Sequence, residues 1–155
     1  MGLAAAVYGL ACYAVFLGSF LYAVGFIGDV IVPKTIDSPP SVAWPEALAI
    51  NLVLLGLFAV QHSVMARQGF KAVWTRIVPP AAERSTYVLF SSLLLALLCW
   101  KWQAIPAVVW DVTSPAPKAL LMALFALGWL ILLFSTLIRW VAISGRACSA
   151  RATWS

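Results

Sequence analysis

Residues 61–87 read Gln61-His62-Ser63-Val64-Met65-Ala66-Arg67, Gln68-Gly69-Phe70-Lys71-Ala72-Val73-Trp74-Thr75-Arg76-Ile77-Val78, and Pro79-Pro80-Ala81-Ala82-Glu83-Arg84-Ser85-Thr86-Tyr87. This basic hairpin stands between two long apolar stretches, and the interruption decides how the chain is organised. Within it, Phe70, Val73, Trp74 and Ile77 recur at i, i+3, i+4 and i+7, while Arg67, Lys71 and Arg76 fall off that face. Such a pattern predicts a short basic amphipathic helix lying among lipid headgroups. Pro79-Pro80 then stops the helix and restarts the chain.

Outward from the hairpin the sequence is apolar. Of 155 residues, 64% are hydrophobic and only 10% charged, a composition foreign to soluble domains. One helical crossing takes ~20 predominantly apolar residues, so the length holds about four spans and no soluble domain. The expected fold is all-α, a polytopic transmembrane helical bundle. Its spans fall at roughly 3–32, 47–65, 83–102 and 118–143, making residues 1–143 the membrane domain. From 144 to 155 the composition turns to Gly, Arg, Ala, Ser and Thr with no apolar period, which predicts a disordered tail.

The N-terminus has no positively charged n-region, and its apolar run outlasts a signal peptide, so it reads as a retained span. That run exceeds what a perpendicular helix needs, predicting tilt or a turn near Gly25 to Gly28. Ala4, Ala11, Gly18 and Gly25 recur every seventh residue and predict a face for close helix approach and self-association. Pro33, Pro39, Pro40 and Pro45 mark one loop, and Pro106, Trp110, Asp111, Pro115 and Pro117 another.

The net charge of +5 does not point to nucleic acid, because the basic residues flank apolar spans instead of studding an aromatic surface. Arg67, Lys71, Arg76, Arg84, Arg139, Arg146 and Arg151 fall on one side of the expected topology, against Lys34, Lys101 and Lys118 on the other. The richer side is expected to be cytoplasmic, with both termini on it. Trp100 and Trp102 suit an aromatic belt at the opposite surface.

Few residues can carry chemistry. His62, the one histidine, sits at a span end, where a helix anchor or an interhelical hydrogen bond competes with a catalytic role. Glu83 complements a helix N-terminus and is placed to pair with Arg67 or Arg76. Arg84 suits a lipid phosphate or an anionic part of a cofactor. His62, Arg67, Glu83 and Arg84 are therefore the catalytic candidates. Asp29 is expected to be solvated beyond the first helix. Cys12 and Cys99 read as small core residues, and with Cys148 they have neither disulfide nor metal spacing. No glycine-rich phosphate loop, CxxC, HExxH or GxSxG is present.

The hairpin as a whole, Gln61 to Arg67, Phe70-Lys71, Trp74-Thr75-Arg76, Pro79-Pro80 and Glu83 to Tyr87, resembles the N-terminal half of the membrane-bound methanethiol S-methyltransferases. These are related to the NnrU proteins and the isoprenylcysteine carboxyl methyltransferases. Val32-Pro33-Lys34-Thr35-Ile36-Asp37-Ser38 and Pro106-Ala107-Val108-Val109-Trp110 are similar to the same family, and the resemblance extends over about residues 1–138.

The resemblance implies methyl transfer from S-adenosylmethionine to methanethiol, a small thiol, giving dimethyl sulfide in a bacterial inner membrane. It also implies cofactor-binding elements in a C-terminal half built around an Arg-His-Pro motif. No Arg-His-Pro occurs here, and after Ser135-Thr136-Leu137-Ile138 the chain reads Arg139-Trp140-Val141-Ala142. No cofactor-binding residue carries over, and a truncated or frameshifted family member without that half is expected. An NnrU-like accessory protein of nitrogen-oxide metabolism and a non-catalytic membrane bundle are the alternatives.

Overall fold

The computed structural model describes residues 3–105 and 111–152. Its helices are α1 (Leu3–Gly28), α2 (Trp44–Ala66), α3 (Gln68–Trp74), α4 (Pro80–Lys101) and α5 (Pro115–Ala152), with no strand among the described residues. Segments of α1, α2, α4 and α5 are long and apolar enough to cross a membrane, at mean hydropathies of 1.3 to 2.1. The chain divides into two compact units, one holding α1 to α4 and the other α5.

Each later span starts about three residues before its apolar pattern does, and proline is the reason. α2 has Pro45 and Glu46 in its first turn, α4 opens on Pro80, and α5 carries Pro115 and Pro117 at its start. Proline lacks the amide proton that a first turn leaves unbonded, and its fixed φ is already helical. Residues expected in loops thus begin helices.

α1 ends at Gly28, four residues short of the expected Val32, in a turn whose hydrogen bonds explain the stop. Asp29 has φ 52°, and the Val30 amide donates to the Gly25 carbonyl at 3.0 Å. This is the six-to-one bond of a Schellman closure, with Asp in the left-handed position usually held by glycine. The returning chain lies directly on Gly25, where an added Cβ would come 2.8 Å from both the Val30 carbonyl oxygen and Val32 Cγ1. The Ile36 amide then caps the Phe26 carbonyl at 3.0 Å. Asp29 is exposed, as expected.

In the first unit α4 is the central helix, packed by α1 and α2. Tyr8 meets Thr86 at the start of both helices and Phe26 meets Trp102 at their ends, so α1 and α4 run parallel. α2 runs antiparallel to α4, since Asn51 near its start contacts Gln103 and Gln61 near its end contacts Ser91. The best-packed cluster joins Ala23, Phe26 and Cys99, flanked by Tyr22, Val32, Ile36, Leu95 and Trp102. Cys12 and Cys99 are both 2% exposed, core residues as expected.

Of the small-residue stripe only Gly25 is buried, under the returning chain. Ala4, Ala11 and Gly18 are exposed in the unit, and a Cβ on Gly18 would touch nothing. α1 buries Cys12, Phe20, Ala23 and Phe26 instead, because α4 offers small side chains of its own, Thr86, Ser92 and Cys99, to receive them. Large apolar side chains such as Leu10, Leu52 and Val60 are exposed, which for a helix of this length is a surface made for lipid.

The backbone of α5 stays helical to Ala152, past the expected span end at Ile143 and through residues 144–152, where disorder was expected. Ala147, Ala150, Ala152 and the neighbouring arginines are strong helix formers even where the apolar period stops. Pro106 and Trp110, the side chains of Arg139, Arg146, Cys148 and Arg151, and the last three residues of the tail lie outside the described residues.

Candidate functional site

The hairpin places the end of α2, all of α3 and the start of α4 at one end of the first unit, together with the start of α1. Arg67 separates α2 from α3: its extended backbone, φ −74° and ψ 142°, breaks the helix between Ala66 and Gln68. α3 stops at Trp74, and hydrogen-bonded turns from Trp74 to Ile77 and Val78 carry the chain to Pro79. Phe70 stacks on Trp74 with centroids 5.6 Å apart, and Trp74 meets Phe90 of α4 edge-on at 6.5 Å. That apolar contact seats the short helix against α4. Val73 and Ile77 are exposed, so only part of the expected apolar face is turned to protein.

His62 lies exposed between two aromatic rings, stacked on Phe58 at 5.5 Å and tilted against Tyr87 at 5.5 Å. The Tyr87 hydroxyl is 3.1 Å from Nδ1 and 3.2 Å from Nε2, and also donates to the His62 carbonyl at 3.4 Å. Near-equal distances to both ring nitrogens place the hydroxyl out of the ring plane, over the Nδ1–Cε1–Nε2 edge, so the contact selects neither tautomer. One helical turn along, Ser91 donates to Gln61 Oε1 at 3.3 Å, and the Gln61 amide points at Met65 Sδ at 3.0 Å. The α2–α4 seam is therefore polar at this end.

Glu83 pairs with neither Arg67 nor Arg76. Its carboxylate is 3.6 Å from Lys71 Nζ, with the lysine 40% and the glutamate 15% exposed. The break at Arg67 leaves that residue exposed, while Lys71, on the side of α3 facing α4, reaches the first turn of α4. Arg67, Arg76 and Arg84 are exposed and have no ion-pair partner among the described residues. The fourth contact at this end joins α1 to α4. Thr86 spends its hydroxyl proton on the Ala82 carbonyl at 2.9 Å, so Tyr8 donates to Thr86 Oγ1 at 3.0 Å.

Of the four candidates, His62 and Glu83 are held by side-chain partners, and Arg67 and Arg84 are free cations at the same end. Tyr87, Gln61 and Ser91 were not singled out from sequence. Their i, i+4 spacing on facing helices, Gln61 with Met65 and Tyr87 with Ser91, was the available sign. Chemically the end offers a solvent-accessible imidazole–phenol pair beside a field of positive charge. The described residues contain no group of three metal-ligating side chains.

Against known proteins the match is extensive. Over 130 residues the chain is 59% identical to a methanethiol S-methyltransferase of Mycobacterium tuberculosis, covering 84% of this chain and 53% of that protein. Over 131 residues it is 50% identical to a methanethiol S-methyltransferase of Crocosphaera subtropica, covering 84% and 51%. Across these residues the chain is homologous to the methanethiol S-methyltransferases. It spans about half the length of these curated relatives. A more distant likeness, 39% identity over 99 residues, is to Nurim of Rattus norvegicus, 59% of this chain and 37% of that protein. No family model and no solved structure matches the chain.

Proposed function

We propose that this chain supplies the membrane scaffold and the thiol-side polar end of a methanethiol S-methyltransferase, which moves a methyl group from S-adenosylmethionine to methanethiol and forms dimethyl sulfide. The observation that carries the proposal is 50–59% identity to proteins of that name over 84% of the chain. The excess of Lys and Arg at the His62 end assigns that end, and the N-terminus, to the cytoplasmic face of a bacterial inner membrane.

The described residues do not fit the methyl donor itself. A nucleoside donor needs an enclosed pocket with free acceptors for its hydroxyls and amine, whereas Glu83 at the polar end is already engaged by Lys71. The cavity at the opposite end, lined by Ala49, Ile50, Val53, Leu54, Lys101 and Gln103, is an apolar groove. No donor contact is accordingly assigned to the described residues. What this half contributes lies on the acceptor side. A thiol becomes nucleophilic as the thiolate, and His62, held by Tyr87 and stacked on Phe58, is the base-bearing group at this end. Arg67 and Arg84 add positive charge that favours the thiolate.

A chimera tests the proposal. The matched residues of the M. tuberculosis relative are replaced by those of this chain, and dimethyl sulfide is measured over cultures supplied with methanethiol. Dimethyl sulfide at a rate near that of the relative supports the assignment. A folded, membrane-inserted chimera that makes none refutes it.

A further inference from the structure

The end of the unit away from His62 gathers two lysines around one tryptophan. Lys34 Nζ donates to the Trp100 carbonyl at 2.5 Å, and Lys101 Nζ stands 4.3 Å from the centroid of the Trp100 ring. Neither lysine has a carboxylate partner among the described residues. Asp29, Asp37 and Glu46 of the same unit are exposed at that end and pair with neither. Lys101 also borders a groove of about 430 Å³ whose walls are Ala49, Ile50, Val53 and Leu54 of α2, with Gln103 at its rim. Val53 is 69% exposed. Trp44, Trp100 and Trp102, at the start of α2 and the end of α4, mark headgroup depth.

We propose that this groove seats an anionic phospholipid of the leaflet opposite the hairpin, with an acyl chain along Ile50, Val53 and Leu54 and the phosphate between Lys101 and Lys34. Charge complementarity selects the occupant. An apolar trough opening on a cation with no carboxylate beside it among the described residues, at interface depth, matches an acyl chain joined to a phosphate, whereas a neutral helix brings that cation no counter-charge. Burial, and then the neighbouring charge of Lys101, push the Lys34 pKa below the ordinary lysine value. An anion between the two ammonium groups relieves that repulsion. The lysines sit on different segments, one in the loop after α1 and one at the end of α4, so a bound headgroup also ties α1 to α4 where the core cluster lies.

Photoreactive phosphatidylglycerol and phosphatidylcholine carrying the same diazirine acyl chain, added to the whole chain in nanodiscs, test this site by site. Phosphatidylglycerol should label the Ala49–Leu54 peptide more strongly than phosphatidylcholine. Lys101→Gln should cut that labelling about fivefold, the worth of one surface cation, without moving the melting temperature. Lys71→Gln, at the other end, should leave it unchanged. Equal labelling by the two lipids, or labelling that survives Lys101→Gln, overturns the proposal. So does efficient disulfide dimerisation of Val53→Cys, which would show a second copy in the groove.

Discussion

The two ends of α4 are fastened in different ways. At its C-terminal end most hydrogen bonds are directed at backbone, the Ser41–Gln103 side-chain pair apart: Asn51, 3% exposed, donates to the Gln103 carbonyl at 2.7 Å and accepts the Gln103 amide at 2.9 Å. Tyr22 and Lys34 likewise donate to the Lys34 and Trp100 carbonyls. At its N-terminal end most contacts are side chain to side chain, several exposed: His62 with Tyr87, which also reaches the His62 carbonyl, Lys71 with Glu83, Gln61 with Ser91. Backbone-directed bonds hold a chain path in place, while exposed side-chain pairs form and part at little energetic cost. The closed end is fastened along the chain path, the open end through pairs that solvent reaches.

The largest effect that would break this contrast lies at Asn51. Asn51→Leu keeps the branched shape and heavy-atom count but strands the Gln103 amide and carbonyl, and should destabilise the unit by about 2–4 kcal/mol, visible as a lower melting temperature in detergent. A shift within error would mean that the closed end is not where stability resides. Next comes Gly25→Ala, whose methyl would press on the Val30 carbonyl, a backbone atom that cannot swing aside. About 1–3 kcal/mol of destabilisation is expected, with the melting curve again the check. Asp29→Gly runs the other way. It removes a side chain from a residue at φ 52° and should raise stability by about 0.5–1 kcal/mol, part of the left-handed penalty. At the open end, Lys71→Ala should change stability by less than about 0.5 kcal/mol, since the pair is half in solvent. A double-mutant cycle with Glu83→Ala exceeding 1 kcal/mol would put that pair among the structural contacts.

Much of this was legible in the residues. Four spans, the basic helix between the second and third, and the burial of Cys12 and Cys99 follow from apolar run length and period. The starts of α2, α4 and α5 were misplaced because proline reads as a loop former, although it is also the favoured first-turn residue. Which face of α1 meets α4 was not legible, because small residues admit a neighbour without requiring one. The partner helix decides, and α4 meets the face of Cys12 and Phe20. Asn51 was not singled out in its apolar run, and its partner is the backbone of Gln103, which no side-chain pattern encodes. His62 and Glu83 were visible as candidates, while Tyr87 became a partner through the antiparallel packing of α2 on α4, and Lys71 once the break at Arg67 set how α3 lies on α4.

The central claim is that the His62–Tyr87 end serves the reaction while the Asn51–Gln103 end holds the fold. Its most direct test is the rate of dimethyl sulfide formation by the chimera carrying Tyr87→Phe, measured alongside its melting temperature. The account predicts a clearly lower rate at an unchanged melting temperature. An unchanged rate, or a rate that falls only in step with the melting temperature, would contradict it.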